Sequence, residues 1–263
     1  MKEIFNQHEH HLAYHADGRE DLVIGITTRN GGFSPYPDKA FNMARYIDDN
    51  EENISKHQQI LADEINFETT NWIFPIQTHE NKVQEVNHKD KGTNITELTN
   101  ELYGIDGLYT YESNILLTMC FADCVPIYLY DVKNEYVGLC HAGWRGTYAE
   151  IIKEMIEQYN GNLNDLRIII GPSTSNSYEI NEDIYQKFQT LPIDIDLYTE
   201  YRDKDRYGID LKIANEQLAI YYGINPQHIL RTKHCTANET DMFFSYRVEK
   251  GNTGRMLAFI GRK

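Results

Sequence analysis

No run of about eighteen consecutive apolar residues occurs anywhere in the sequence, so no membrane-spanning helix is expected. Positive charge is scarce as well: 25 Lys and Arg stand against 40 Asp and Glu, a formal charge of −15. A surface of that sign repels phosphate backbones and anionic lipid headgroups, which argues against nucleic acid and membranes as partners. Cysteine is sparse. The four present, Cys120, Cys124, Cys140 and Cys235, form no Cys-x-x-Cys pair, which argues against a zinc ribbon or a thioredoxin-type site. The first residues, MKEIFNQHEHHLAYH, lack an apolar h-region, so no secretory signal and a cytoplasmic location are expected. In that compartment the thiols read as core residues, ligands or nucleophiles before they read as disulfides. There is also no internal repeat and no Gly/Ser/Pro-rich linker, which predicts a single domain over residues 1–263.

What is present is ordinary globular material, 41% hydrophobic and 25% charged, enough for a sizeable core. DLVIGITT reads as a strand entering the turn-rich RNGGFSPYP. In ENISKHQQILADEI, Ile54, Gln58, Leu61 and Ile65 recur at helical spacing. NWIFPIQ is a short strand whose Pro75 suggests an edge or bulge. Residues 87–104 are polar and read as loop. GLYTYESNILLTMCFADCVPIYLYD and YVGLCHAG supply core strands with apolar residues on both faces. Tyr148, Ile152, Met155 and Tyr159 mark one helical stripe, LRIIIG a strand, and NEDIYQKFQT and DLKIANEQLAIYYG two more helices, the last aligned on Leu211, Ala214, Leu218 and Tyr221. HILRTKHC and MLAFIG read as closing strands. The elements intermix without regular βαβ alternation, so an α+β fold with helix-covered sheets is predicted.

Chemistry concentrates in three places. His79 follows a short strand, Cys124 sits in the apolar run, and His141 ends a strand that opens into a glycine turn. One Cys with two His is a known set of zinc ligands that leaves a fourth position open. Each residue also has an ordinary structural reading, the Cys as core packing and the His as a hydrogen-bonded bystander. Gly143 and Gly146 read as a turn needing open backbone angles. Arg145 between them is a planar cation at a helix start, where an anion could bind.

TTRNGGFS, FNMA, QTH, DGLYT, FADCVPIYLYD, CHAGWRGT, IIIGPS and FFSYR, in that order over nearly the whole chain, resemble the signatures of the polyphenol oxidase, or laccase-domain, purine nucleoside phosphorylase family. The pairing of ADC with HAGWRG carries most of the specificity. The resemblance implies metal ligands at His79, Cys124 and His141. It also implies β-sheets sandwiched between helices, αββα-like and similar to the catalytic domain of the cytotoxic necrotizing factor toxin. The implied activity is phosphorolysis of adenosine, inosine and methylthioadenosine to free base and a ribose 1-phosphate, with adenosine deamination. Zinc is the implied cofactor and copper the alternative ion; purine nucleosides and phosphate are the implied partners. Within the matching motifs, Arg145, Cys124 and His141 are the catalytic candidates, and Arg29, Asn42 and Arg247 the substrate-binding ones. The chain departs from the family at GPSTSNSYEI and at TANETDM, which lack the cysteines many relatives carry there, so accessory thiols are not carried over.

Three readings of function follow. A zinc ion held by two imidazoles and a thiolate acidifies water, the chemistry that attack at purine C6 requires, while phosphorolysis needs local cations to overcome the negative field. A copper oxidase requires clustered His-x-His pairs, and the sequence has one such pair, His8 and His10 in HEHH, expected to be a solvated tail or an adventitious metal binder. A metal-free hydrolase would use Cys124 as nucleophile and His141 as base. A homodimer stays open as the assembly.

Overall fold

The structure, a computed structural model, describes residues 2–36 and 38–263. In chain order the strands are β1 Asn6–Gln7, β2 His11–Tyr14, β3 Leu22–Thr27, β4 Trp72–Ile73, β5 Val83–Glu85, β6 Gly107–Thr110, β7 Ile115–Phe121, β8 Val125–Asp131, β9 Val137–Ala142, β10 Leu166–Ile170, β11 Tyr178–Asn181, β12 Thr199–Asp203, β13 Arg206–Ile209, β14 Ile229–Arg231 and β15 Met256–Arg262. The α-helices are α1 Glu51–Ile65, α2 Trp144–Tyr148, α3 Ile151–Glu157, α4 Glu182–Phe188 and α5 Leu211–Tyr221. The strands form two six-stranded sheets, ordered β1-β2-β3-β15-β7-β4 and β14-β10-β8-β9-β6-β5, and one three-stranded sheet, β11-β13-β12. Most pairs are antiparallel; β4–β7, β5–β6 and β10–β14 are parallel.

Side-chain alternation assigns the faces of each large sheet. On β7, Ile115, Leu117, Met119 and Phe121 enter one apolar cluster together with Tyr128, Val137, Leu139 and Ile169 of the second sheet. Leu116 and Cys120 enter another with Leu61, Ala62 and Ile65 of α1. On the second sheet, Ile127, Leu129, Cys140 and Ala142 face a cluster containing Ile152 and Met155 of α3 and Leu211 and Leu218 of α5. The two large sheets therefore share one core, and helices cover their outer faces. Strands covered on both sides need apolar residues at successive positions, hence the continuous run through β7 and β8.

The helix read from Ile54, Gln58, Leu61 and Ile65 is α1, and all four are buried on it. Asn50 caps its start by accepting from Glu52 N. β4 lies at the edge of its sheet, and the chain turns away there at Pro75. Three expectations are corrected. The stripe from Tyr148 to Tyr159 is two helices, because Glu150 at φ 58 breaks the hydrogen-bonded run between α2 and α3. HEHH is no loose tail: it is the turn of the β1–β2 hairpin, closed by His8 N donating to the His11 carbonyl at 2.8 Å. Tyr221, aligned with the α5 core face in the sequence, is 57% exposed. No helix among the described residues is long and apolar enough to cross a membrane.

Candidate metal centre

β9 delivers His141. In its register Pro126 of β8 pairs with His141, while Cys140 pairs with Gly107 at the start of β6. Cys140 consequently points into the core beneath α3, and His141 points the opposite way, against the Phe121 ring at 5.1 Å. Cys124 ends the short connection from β7 to β8, where Asp123 adopts φ 86. That left-handed backbone is held from both ends of the Asp123 side chain: Oδ1 accepts from the Thr236 hydroxyl at 2.7 Å and Oδ2 from Arg247 N at 2.8 Å. His79 arrives on the loop before β5, itself at φ 65.

The ligand atoms of His79, Cys124 and His141 lie within 4.8 Å of one another, graded from exposed His79 through half-buried Cys124 to buried His141. The two imidazoles meet edge to face, centroids 4.7 Å apart. Gly143 completes the cradle. A Cβ placed there would sit 3.0 Å from Cys124 Sγ and 3.3 Å from His79 Cδ2, so the donors converge on space that only glycine leaves open. Neither Gly143 nor Gly146 has a positive φ, which corrects the expectation of open backbone angles: both glycines are there for close approach.

Asp106 holds the arrangement together, and sequence reasoning passed over it although it opens the quoted DGLYT. Its carboxylate accepts three successive backbone N–H bonds, from Thr78 at 3.1 Å, His79 at 3.0 Å and Glu80 at 2.9 Å. Such a concave row of amides is an anion-binding nest, and here it fixes the left-handed turn that presents His79. The same carboxylate contacts His141 Nδ1 at 3.1 Å, and the Asp106 carbonyl accepts His141 N at 2.8 Å. With Nδ1 committed to Asp106, His141 keeps Nε2 for the cluster, the carboxylate–histidine arrangement typical of metal sites.

The electrostatics follow from burial and pairing. Burial pushes the Cys124 thiol up, but the charge of His141 and hydrogen bonds from His141 and His79 outweigh it and bring the thiol down to about 6. Burial pushes His141 down, and Cys124 and Asp106 together raise it to about 9. Burial likewise opposes charge on Asp106, yet His141 and the amide donors hold its carboxyl below the usual range. A thiolate beside two imidazoles is a borderline-soft donor set with three protein ligands, suited to zinc with a position left open.

These donors line a cavity of about 710 Å³ that also receives Trp144, Tyr178 and Tyr246, together with Arg145, Arg247, Lys250 and Arg255. Among the described residues Asp123 is its one lining carboxylate, already engaged as described. Arg145 lies over the Trp144 ring at 4.7 Å and Arg247 over Tyr178 at 4.2 Å. In a chain of charge −15 this concentration of cations is a local reversal of sign. Two substrate-binding candidates, Arg29 and Asn42, are not among the lining residues. Arg29 is 7% exposed, its guanidinium paired with Glu249 at 2.8 Å and bonded to the carbonyls of Thr240 and Phe243. Asn42, fully buried, accepts from Ala44 N and Arg255 N and donates to Asp49. Both fasten the loops behind the cavity wall and do not line it.

The family model described as multi-copper polyphenol oxidoreductase laccase matches residues 23–263. The chain is 57% identical over its full length to the full length of a purine nucleoside phosphorylase of Staphylococcus aureus strain COL, and 55% identical over the same span to one from Staphylococcus epidermidis. Among solved structures, YlmD of Geobacillus stearothermophilus superposes with a TM-score of 0.95 at 34% identity, covering 100% of both chains. YfiH of Bacillus licheniformis gives 0.94 at 33% identity, covering 98% of this chain and 99% of its own. The chain belongs to the laccase-like polyphenol oxidoreductase family.

Proposed function

We propose that the chain is a zinc-dependent purine nucleoside phosphorylase, carried by one domain over residues 1–263 and acting in the cytoplasm. Its substrates are adenosine, inosine and methylthioadenosine, and adenosine deamination is a second reaction of the same site. The observation that carries the reading is the convergence of three metal donors on the wall of an open cavity rich in cations and aromatic faces. His79, Cys124 and His141 would hold the ion, which when bound supplies Lewis-acid polarisation and acidifies a neighbouring water. The names of the full-length relatives support the nucleoside assignment.

In phosphorolysis a phosphate oxygen bonds to ribose C1′ while the C1′–N9 bond breaks, its electron pair leaving with the purine. Arg145 and Arg247 would hold the phosphate, because a planar guanidinium bonds two oxygens at once. Tyr178, Tyr246 and Trp144 offer flat faces for the purine. Asp106 keeps His141 in one tautomer, so the site is preorganised before substrate arrives.

The test is elemental analysis of purified protein together with adenosine and inosine turnover measured with and without phosphate. Cys124→Ala should lose its bound ion and nearly all turnover while remaining folded, since the vacated volume is small. Full activity without a bound ion would overturn the zinc reading. The low thiol and raised imidazole also fit a Cys124–His141 hydrolase. The third donor favours the metal: a thiol–imidazole pair needs one imidazole, yet a second, His79, also bonds Cys124 and has its backbone fixed by Asp106. A coordinated thiolate resists alkylation until a chelator is added, whereas the hydrolase thiolate would label at once.

A further inference from the structure

The turn of the β1–β2 hairpin brings a second donor set against α1, on residues that do not line the cavity. Ligand atoms of Glu9, His10 and Glu64 lie within 4.8 Å of one another. The Glu64 carboxylate faces both imidazoles of the turn: Oε1 lies 2.5 Å from His10 Nδ1 and Oε2 lies 2.9 Å from His11 Nδ1. The His10 ring is fixed by packing. It stacks on Phe41 with centroids 4.8 Å apart, and its far edge abuts Gly31, where a Cβ would come within 2.8 Å of Nε2. With that edge closed, Nδ1 is the nitrogen turned toward Glu64. The His11 ring is stacked on His8 at 4.6 Å, so the turn holds its imidazoles in ordered positions.

Glu64 sits in the last turn of α1, which contains no basic residue. The helix C-terminus carries partial negative charge, so a carboxylate there is repelled unless a cation sits beside it. Glu9 adds a second carboxylate at the same point. We propose that Glu9, His10 and Glu64 form a second, structural site for a divalent transition cation, one that ties the β1–β2 hairpin to the end of α1. One imidazole nitrogen with two carboxylate oxygens matches zinc or nickel. Magnesium and calcium prefer sites made wholly of oxygen.

The probe is zinc: the purified full chain, first loaded with one equivalent for the Cys124 site, is dialysed against further micromolar zinc, with metal counted by elemental analysis and Tm recorded before and after. The wild type should hold about one zinc equivalent per chain more than either Glu64→Gln or His10→Gln, and zinc should raise the Tm of the wild type alone. Both variants should keep the ion of the Cys124 site and their nucleoside turnover, because neither residue touches that cavity. Two variants guard against a folding defect in one, with circular dichroism as the check. Equal metal content in the wild type and either folded variant overturns the site, as does an equal zinc-dependent Tm rise.

Discussion

Burial favours the neutral form of a thiol, and Cys120 obeys: burial pushes it up to about 12, only partly offset by the Arg255 charge and Tyr46. Cys124, four positions on, is drawn to about 6 despite burial, because it faces the His141 charge and hydrogen bonds from two imidazoles. The sign gives a pH prediction for metal-stripped protein. A thiol with a lowered pKa keeps its reactive thiolate above that pKa and loses it below. The rate of Cys124 alkylation should therefore stay high down to the slightly acidic range and fall through about 6. A midpoint near the free-cysteine value of ~8.5 would show that the ion pair does not form. Asp106 supports a second prediction. Asp106→Asn keeps the size of the side chain but loses the carboxylate that anchors three amides and the His141 ring. Metal affinity should fall about 10- to 100-fold, read by competition with a chelator. An unchanged affinity would reduce Asp106 to a loop fastener.

At the level of elements, β9 and the turn after it do the placing. Two-residue alternation sends Cys140 to the helix-covered core and His141 to the donor cluster, a separation readable from adjacency alone once the segment is known to be a strand. The turn was legible only in part: glycines were expected for their angles, and the structure uses them for space. Gly143→Ala should thus weaken zinc binding by crowding Cys124 Sγ and His79 Cδ2, while backbone strain stays small because φ is −73. Equilibrium dialysis decides it, and wild-type affinity would mean the loop yields. The break between α2 and α3 was invisible in the sequence, because the apolar stripe continues across Glu150. The three-stranded sheet was missed for the opposite reason: β12, TEYRD, is mostly exposed and carries no apolar alternation.

The whole molecule sets a negative field of −15 around a cavity lined by four cations. Among the described residues the arginines in ion pairs, such as Arg19, Arg29, Arg206 and Arg231, lie outside that lining, which leaves Arg145, Arg247 and Arg255 to the cavity. Arg145→Lys keeps the charge but loses the planar fork, so the KM for phosphate should rise about 10- to 100-fold with bound metal unchanged. A wild-type phosphate KM would move Arg145 out of the anion contact. By itself the sequence determined the apolar strands, the α1 face and the sign of the surface, since these depend on local period and composition. Its motifs named His79, Cys124 and His141 as residues that belong together. Only the tertiary structure decided that Asp106 orders two of them, that Arg29 and Asn42 are fastenings, and that HEHH meets the end of α1. Those assignments depend on contacts between segments far apart in the chain, and no local pattern encodes which partner a buried polar group will find.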